Sequence, residues 1–214
     1  MIDSLESLKS YYRNPRAEVQ PFFPEDIRTA LEIGCGGGAY GEWMTSRGVE
    51  VTGIELEAMP ARFAAQRLHR VLVGDALEQI RTLPEASFDL LCANDVLEHL
   101  PRPDLVLAEG RRVLKPGGRI LISLPNIRYW DEFLRLAWQG EFPQEDLGIF
   151  DRTHLRWFTE KRIRRFVAEC GFEIEVLQGV NPTRAKSFRL WRRLLGARIE
   201  DCRWLQYVVR ARMV

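Results

Sequence analysis

The chain has 214 residues, a length typical of one domain with additions and sufficient to bury a full core. Hydrophobic residues make up 46% of it and charged residues 29%, which excludes an intrinsically disordered chain. With 31 basic and 30 acidic side chains, its bulk charge also excludes a strongly basic nucleic-acid binder.

Cysteine usage and the first residues indicate the compartment. The four cysteines form no CxxC pair, so neither a zinc site nor a disulfide framework is predicted. The N-terminal residues 1–16 lack an apolar signal core, and no run of about 18 apolar residues is present. We therefore expect a cytoplasmic protein with no transmembrane segment.

Short apolar runs alternate with helix-length stretches in the first half of the chain. Strands are predicted at residues 29–33, 50–55, 71–73, 88–93 and 119–124, and helices at 40–47, 59–69 and 104–114. A turn at residues 115–118 precedes the fifth strand. Alternating strands and helices predict an α/β fold with a doubly wound parallel sheet covered on both faces.

The pattern changes after Pro125. Residues 126–148 are rich in Trp and Phe and are interpreted as an inserted helix and loop, either a lid or a peripheral packing helix. A helix at 159–170 and two final strands at 172–177 and 204–212 follow. The predicted organisation of this single domain is an N-terminal helical cover (1–28), a binding core (29–125), a lid (126–158) and a C-terminal helix with a strand pair (159–214).

Charge is divided unevenly along the chain. Residues 1–150 carry 16 basic and 23 acidic side chains, whereas residues 151–214 carry 15 basic and 7 acidic ones. A basic C-terminal region can meet a membrane surface, an anionic substrate or nucleic acid, or it can simply be a solvated surface that complements the acidic body.

A glycine-dense turn follows the first predicted strand. Gly34, Gly36 and Gly38 let the backbone approach a ligand, and the spacing by itself also fits a dinucleotide fingerprint. Glu32 precedes this turn, and its carboxylate would repel a pyrophosphate but attract an ammonium or sulfonium group. S-adenosylmethionine (SAM) carries both, whereas in the alternative interpretation Glu32 only accepts from local backbone amides.

Two further acids end the next predicted strands. Glu55 closes the second strand and can accept both hydroxyls of a ribose, a feature that nicotinamide enzymes share. Asp75, after the third strand, is placed to accept from an adenine amino group or, alternatively, to form a turn. The acids therefore predict an adenosine-containing ligand.

Five segments in this order resemble those of class I SAM-dependent methyltransferases: LEIGCGGG, VTGIE, VGDALE, FDLLCANDVLEHLPRP and RVLKPGGRILISLPN. Within the class, the chain most resembles the O-methyltransferase branch that includes the ubiquinone-pathway enzymes. Residues 148–159 resemble bacterial methyltransferases often encoded beside polysaccharide glycosyltransferases. The resemblance implies a Rossmann-like sheet of seven strands with one antiparallel strand, and SAM as cofactor with S-adenosylhomocysteine as product.

The resemblance also implies roles for individual residues. The methionine part of SAM would be held by Glu32, Gly34, Gly36 and Gly38, the ribose by Glu55, and the adenine by Asp75 and Ala76. The backbone carbonyl of Asn94 would accept from the amino group, and Arg16 would pair with the carboxylate.

Two histidines are candidate general bases for a hydroxyl acceptor. His99 follows the fourth strand and is either a base near the methyl group or a structural residue of the cofactor site. His154 is either a base oriented by Asp151 or part of a segment that docks the lid. No metal-binding cluster is predicted.

These features predict O-methylation of a small-molecule or glycan- or lipid-linked metabolite. A non-catalytic SAM-binding protein stays an alternative, as does an NAD(P)-dependent reductase or epimerase, which Glu32 opposes. No nucleic-acid partner is expected, because Asn94-Asp95-Val96-Leu97 does not resemble the Asn-Pro-Pro-Tyr motif of nucleic-acid methyltransferases. Peripheral membrane contact through the basic C-terminal region is a further expectation.

Overall fold

The computed structural model describes residues 10–214, so the beginning of the predicted N-terminal cover, residues 1–9, lies outside the described residues. Seven strands form one sheet in the order β3-β2-β1-β4-β5-β7-β6. The strands are β1 Thr29–Ile33, β2 Glu50–Glu55, β3 Arg70–Val73, β4 Phe88–Asn94, β5 Leu114–Pro125, β6 Phe172–Pro182 and β7 Trp204–Met213. Strand β7 runs antiparallel to both of its neighbours, which confirms the predicted doubly wound sheet with one antiparallel strand.

Seven α-helices connect or flank these strands. They are α1 Ala39–Thr45, α2 Ala58–Ala64, α3 Ala76–Arg81, α4 Pro103–Val113, α5 Trp130–Leu134, α6 Glu160–Glu169 and α7 Lys186–Leu195. The predicted helical cover contains only two 3-10 turns within the described residues, Ser10–Arg13 and Gln20–Phe22. The predicted second helix ends early, and Leu68 beyond it turns back into the core at 7% exposure.

Alternate residues of the central strands are buried on opposite faces of the sheet. On β4, Leu91 packs in the cluster under α3, α4 and α6, whereas Leu90 packs with α1 and α2 on the other face. Both side chains are fully buried. Because both faces of the sheet are buried, the central strands are apolar along their length and do not alternate between apolar and polar residues.

The predicted turn before the fifth strand lies inside β5. Phe88 pairs with Leu114, but Leu90 pairs with Arg119, so residues 115–118 bulge out of the ladder. Gly117 takes a φ of 75° at this point. The bulge places the two glycines of the turn between two paired parts of one strand.

The chain outside the sheet builds a small core of its own. Helices α5 and α7 and the 3-10 segment Gly196–Arg203, which together we call the satellite, enclose Trp130, Phe188, Ile199 and Cys202. The rings of Trp130 and Phe188 meet edge to face with 5.6 Å between centroids. Within residues 10–214, none of the helices has the length and apolar character needed to cross a bilayer.

Candidate active site

The loop between β1 and α1 requires its glycines. Gly34, Gly36 and Gly38 all have positive φ, at 68°, 54° and 82°. A Cβ atom on Gly34 would stand 2.5 Å from Val96 Cγ2, and one on Gly38 would stand 2.9 Å from Ala64 Cα. The loop therefore has room for backbone only, as a close approach to a ligand demands.

Glu55 holds this loop in place. Its Oε2 accepts a hydrogen bond from the Gly36 amide at 2.8 Å, and its Oε1 accepts from the Glu57 amide at 3.0 Å. The side chain is 6% exposed. Each carboxylate oxygen has further acceptor capacity, so Glu55 can also receive ribose hydroxyls. The sequence predicted a ligand contact for Glu55 but not its contact with the loop.

Glu32 is a buried carboxyl group with one unsatisfied oxygen. The Gly41 amide hydrogen-bonds it, as the alternative interpretation proposed, but Oε2 has no partner among the described residues. Burial raises the pKa of Glu32 to about 8, with Glu55 adding to the effect and Arg16 opposing it. A cationic ligand group at Oε2 would remove this penalty, so the residue fits the ammonium or sulfonium expected from the sequence.

Arg16 and Asn94 meet at the carboxyl end of β4. The Arg16 guanidinium pairs with the Asp95 carboxylate, and its Nη2 donates to the Asn94 carbonyl at 3.2 Å. Asp95 also accepts from Ser123 Oγ at 2.9 Å. The buried Asn94 side-chain amide has no hydrogen-bond partner among residues 10–214. The Asn94 carbonyl, which was predicted to bind the cofactor amino group, accepts from Arg16 instead, and the Asn94 side chain is the group without a partner among the described residues.

Asp75 and Ala76 lie beside Glu55. Strand β3 ends at Val73, the register partner of Glu55, and Asp75 begins α3 directly afterwards. Asp75 Oδ1 accepts from the amides of Leu77 and Glu78 at 2.9 and 3.1 Å, so it caps the helix as the turn-forming alternative proposed. Both residues are nevertheless placed next to the expected ribose position.

His99 is linked to Asp151 through Thr153. The Thr153 hydroxyl donates to Asp151 Oδ1 at 2.6 Å and lies 2.9 Å from His99 Nδ1. Because the one hydroxyl proton goes to Asp151, His99 Nδ1 must be the donor to Thr153, which leaves Nε2 as a proton acceptor. Burial and the neighbouring His154 lower the pKa of His99, so the ring is neutral at neutral pH.

His154 is more deeply buried than His99. Its Nδ1 donates to the Ile149 carbonyl at 2.9 Å, and its Nε2 lies 3.9 Å from Glu98 Oε1. The two histidine rings contact each other with 4.6 Å between centroids. The prediction that Asp151 orients His154 needs correction, because the Asp151 carboxylate contacts Thr153 and through it His99.

Glu98 completes a cluster of titratable groups that was not predicted from the sequence. It is fully buried, and neither carboxylate oxygen has a hydrogen-bond partner within residues 10–214. Burial raises its pKa well above the usual range, and Asp95 raises it further. Glu98, His99 and His154 offer ligand atoms within 4.8 Å of one another, a spacing that a metal ion could occupy. Only folding brings His154 to the other two.

Three further side chains near this edge of the sheet, two arginines and a phenylalanine, have structural roles. Arg128 pairs with Asp201 at 2.6 Å, and Arg156 Nη1 donates to the Leu100 carbonyl at 2.9 Å. Phe158 belongs to the main core.

A groove of about 920 Å³ between α4 and α6 contains none of the residues predicted to bind the cofactor or abstract a proton. The groove is therefore separate from the glycine loop and its acids.

Known proteins are similar to this chain in both sequence and fold. Residues 31–122 match the family model described as "Methyltransferase domain". A ubiquinone biosynthesis O-methyltransferase from Pseudomonas aeruginosa is 37% identical over 164 residues, covering 72% of this chain and 69% of that protein. One from Dechloromonas aromatica is 29% identical over 168 residues, covering 74% and 71%.

Solved structures agree on the fold. A SAM-dependent methyltransferase from Archaeoglobus fulgidus superposes with a TM-score of 0.67 at 20% identity, covering 92% of this chain and 91% of its own. A SAM-dependent methyltransferase from Thermotoga maritima, titled a possible histamine N-methyltransferase, also gives 0.67, at 19% identity and with 95% and 89% covered. With the glycine loop and the unsatisfied Glu32 carboxyl, these matches lead to one conclusion: the chain belongs to the class I SAM-dependent methyltransferases, and SAM is its cofactor.

Proposed function

We propose that this enzyme methylates a hydroxyl oxygen of a small-molecule or glycan- or lipid-linked metabolite, with His99 as the general base. The observation that carries the proposal is the hydrogen-bonded series Asp151–Thr153–His99 after β4. In parallel α/β sheets, ligands bind beyond the carboxyl ends of the strands, which is where this series lies. It leaves His99 with one nitrogen free to accept a proton.

Bound SAM supplies the methyl group, which is attached to a positively charged sulfonium. The thioether that leaves, S-adenosylhomocysteine, is therefore already activated as a leaving group. Glu32, with its unsatisfied Oε2, would bind the cationic part of the cofactor, and Glu55 would receive the ribose hydroxyls. The glycine loop would orient the cofactor against the acceptor. These residues bind and orient, so the remaining chemical task of the protein is to remove the acceptor proton.

His99 is suited to that task because its environment keeps it neutral and ready to accept a proton. Burial would raise the pKa of Asp151, but its hydrogen bonds from Thr153 outweigh burial and lower it, so this carboxylate stays ionised. Its charge, transmitted through Thr153, would stabilise the imidazolium that forms when His99 Nε2 takes the proton. His154, bound to the Ile149 carbonyl, would support the ring of His99 rather than react.

Two observations support an oxygen acceptor. The relatives from Pseudomonas aeruginosa and Dechloromonas aromatica are both named O-methyltransferases. A hydroxyl also needs a base more than an amine does, and the His99 series provides one. Residues 148–159, which resemble methyltransferases encoded beside polysaccharide glycosyltransferases, add glycan precursors to the acceptors that should be screened.

The test is turnover at saturating SAM with a panel of quinol-like phenols and glycan precursors, measured as S-adenosylhomocysteine released. For the acceptor that reacts, His99→Ala should lower kcat by about 10²–10⁴-fold. Thr153→Ala should lower it less and shift the acidic limb of the pH profile, while Thr153→Ser should restore wild-type behaviour. His154→Ala is the matched histidine control.

Three results would contradict the proposal. SAM binding without turnover on any acceptor would favour the non-catalytic alternative. A loss below about 100-fold in His99→Ala would exclude His99 as the general base, whatever the effect of His154→Ala. Loss of activity on chelation, restored by a divalent cation, would make the histidines metal ligands rather than bases.

A further inference from the structure

Helix α7 of the satellite exposes an apolar strip. Leu190 and Leu194 are 60% and 68% exposed, and Trp191 beside them is 42% exposed. Residues four apart share a helix face, so the two leucines form one continuous strip. On another side of the same helix, Phe188 is buried against Trp130. The helix is thus anchored to the satellite, while its leucine strip is mostly exposed to solvent.

The segment that contains α7 is strongly basic and its acids are already engaged. Residues 184–203 contain seven basic and two acidic side chains. Glu200 pairs with Arg192, and Asp201 pairs with Arg128. Five exposed cations have no ion pair among the residues that the structure describes, namely Arg184, Lys186, Arg189, Arg193 and Arg198. The positive charge of this surface is therefore available to a partner.

The cations and the leucines are arranged in adjacent rows. Arg189 and Arg193 directly precede Leu190 and Leu194 in the chain. The two arginines are therefore also four residues apart, as the two leucines are. At 100° per residue, the arginine row borders the leucine row on the side opposite Trp191. Apolar side chains flanked by Arg and Lys are the pattern of helices that lie in the boundary between lipid headgroups and acyl chains.

We propose that α7 docks this enzyme onto an anionic phospholipid bilayer. Leu190 and Leu194 would enter the headgroup boundary, and Arg189 and Arg193 would contact lipid phosphates. A nucleic acid would engage the cations but leave the leucines exposed. A second copy docked on the same face would oppose arginine to arginine without intervening acids, so charge complementarity favours the lipid surface.

The strength of docking follows from the charge. Each Lys or Arg close to an anionic surface raises partitioning roughly five-fold, and this contribution falls with ionic strength. Removing both Arg189 and Arg193 should therefore weaken binding by about 25-fold. Burial of the two leucines contributes separately and does not depend on salt.

The test is co-sedimentation of the full chain with vesicles of phosphatidylcholine and phosphatidylglycerol in equal parts, without SAM or acceptor. Wild type should bind these vesicles and not vesicles of phosphatidylcholine alone. The variant Arg189→Gln/Arg193→Gln should bind these vesicles about 25-fold more weakly than wild type, and Leu190→Ser/Leu194→Ser at least 10-fold more weakly. The charge-retaining pair Arg189→Lys/Arg193→Lys should stay within about 3-fold of wild type.

A matched control lies at the opposite end of the sheet. Arg62 and Arg70 are exposed and have no ion pair among residues 10–214, so Arg62→Gln/Arg70→Gln makes the same charge change away from α7. Its binding should equal that of wild type. Equal losses in the two arginine pairs, or no binding of wild type, would overturn the proposal.

Partners other than a lipid surface would give different binding results with these variants. If the arginine variant loses binding but the leucine variant does not, the surface recognises charge alone, as for nucleic acid, and the proposal fails. If sedimentation without vesicles shows a dimer that the leucine variant dissociates, a second copy occupies the strip, and the proposal also fails. Calorimetric titration with SAM should give wild-type affinity for every variant, which separates this outcome from failure of the proposed function.

Discussion

The carboxyl edge of the sheet buries acidic side chains, whereas the satellite exposes basic ones. At the sheet edge, Glu32, Glu55 and Glu98 are buried carboxyl groups, and Glu32 and Glu98 have oxygens with no hydrogen-bond partner in the described part of the chain. On the satellite, Arg189 and Arg193 are exposed. A buried carboxyl group that lacks hydrogen-bond donors needs a proton or a cationic ligand, whereas an exposed guanidinium is solvated by water. The difference is consistent with the SAM site in the first region and with the membrane docking that we propose for the second.

The two regions also differ in packing. The sheet is buried on both faces by two large clusters of apolar side chains. The satellite core has only four buried residues and connects to the body through polar contacts such as the Asn126 amide, which donates to the Asp201 carbonyl at 2.8 Å. We therefore expect the satellite to open at a lower free energy than the sheet.

The largest effect should come from Glu32→Gln as the pH changes. Between pH 4.5 and about 8 the folded carboxyl keeps its proton while the unfolded one loses it. Glu32 therefore lowers the free energy of unfolding by about 1.4 kcal/mol per pH unit across this window, and the variant should lack this contribution. Urea unfolding of the ligand-free protein at a series of pH values measures the difference. Parallel curves for wild type and variant would refute the buried-carboxyl assignment, and the exposed Glu25→Gln should keep the wild-type slope.

Core truncations should separate the two regions next. Leu91→Ala, in the main core, should lower the free energy of unfolding by about 2–5 kcal/mol. Phe188→Ala, in the satellite, should lower it by less than half as much, because the satellite can open without the sheet. Urea denaturation gives both values, and hydrogen exchange should show protection lost only over the satellite in the second variant. Equal global losses would mean that the two regions unfold as one unit.

Glu55→Ala should weaken SAM binding by about 10–100-fold. It removes an acceptor for the ribose and also the hydrogen bond from the Gly36 amide. Calorimetric titration measures the affinity. Glu57→Ala is the matched control, because its backbone amide still donates to Glu55 while its exposed carboxylate is removed. Unchanged affinity in Glu55→Ala would contradict the ribose assignment.

The smallest effect should be that of Glu200→Gln on the satellite. The side chains of Arg192 and Glu200 are 53% and 39% exposed, and exposed ion pairs contribute roughly 1 kcal/mol or less. Thermal unfolding should change little in this variant. A loss larger than that of Phe188→Ala would show that ion pairs rather than apolar packing hold the satellite together.

Local patterns predicted the parts of the molecule that depend on neighbouring residues in the chain. The strands β1 and β2 begin and end where predicted, because continuous apolar runs between turns are a signal of buried parallel strands. Helix α7 was not predicted, although half of its ten residues are apolar and recur at helical spacing. Its arginines favoured the interpretation of this segment as a basic connection between the last two strands. Helix α3 was missed as well, since only the Asp75 cap marks its start.

The sequence by itself determined the sheet, the glycine loop and the acids Glu32 and Glu55, since each depends on contiguous residues whose spacing allows few other structures. Only the tertiary structure decided that Thr153 links Asp151 to His99 by hydrogen bonds, and that Glu98 and His154 lie in one buried cluster. It also decided which arginines of α7 have no ion pair within residues 10–214. These contacts join residues that are distant in the chain, and their burial, hydrogen bonds and charge pairing are set by packing rather than by local preference.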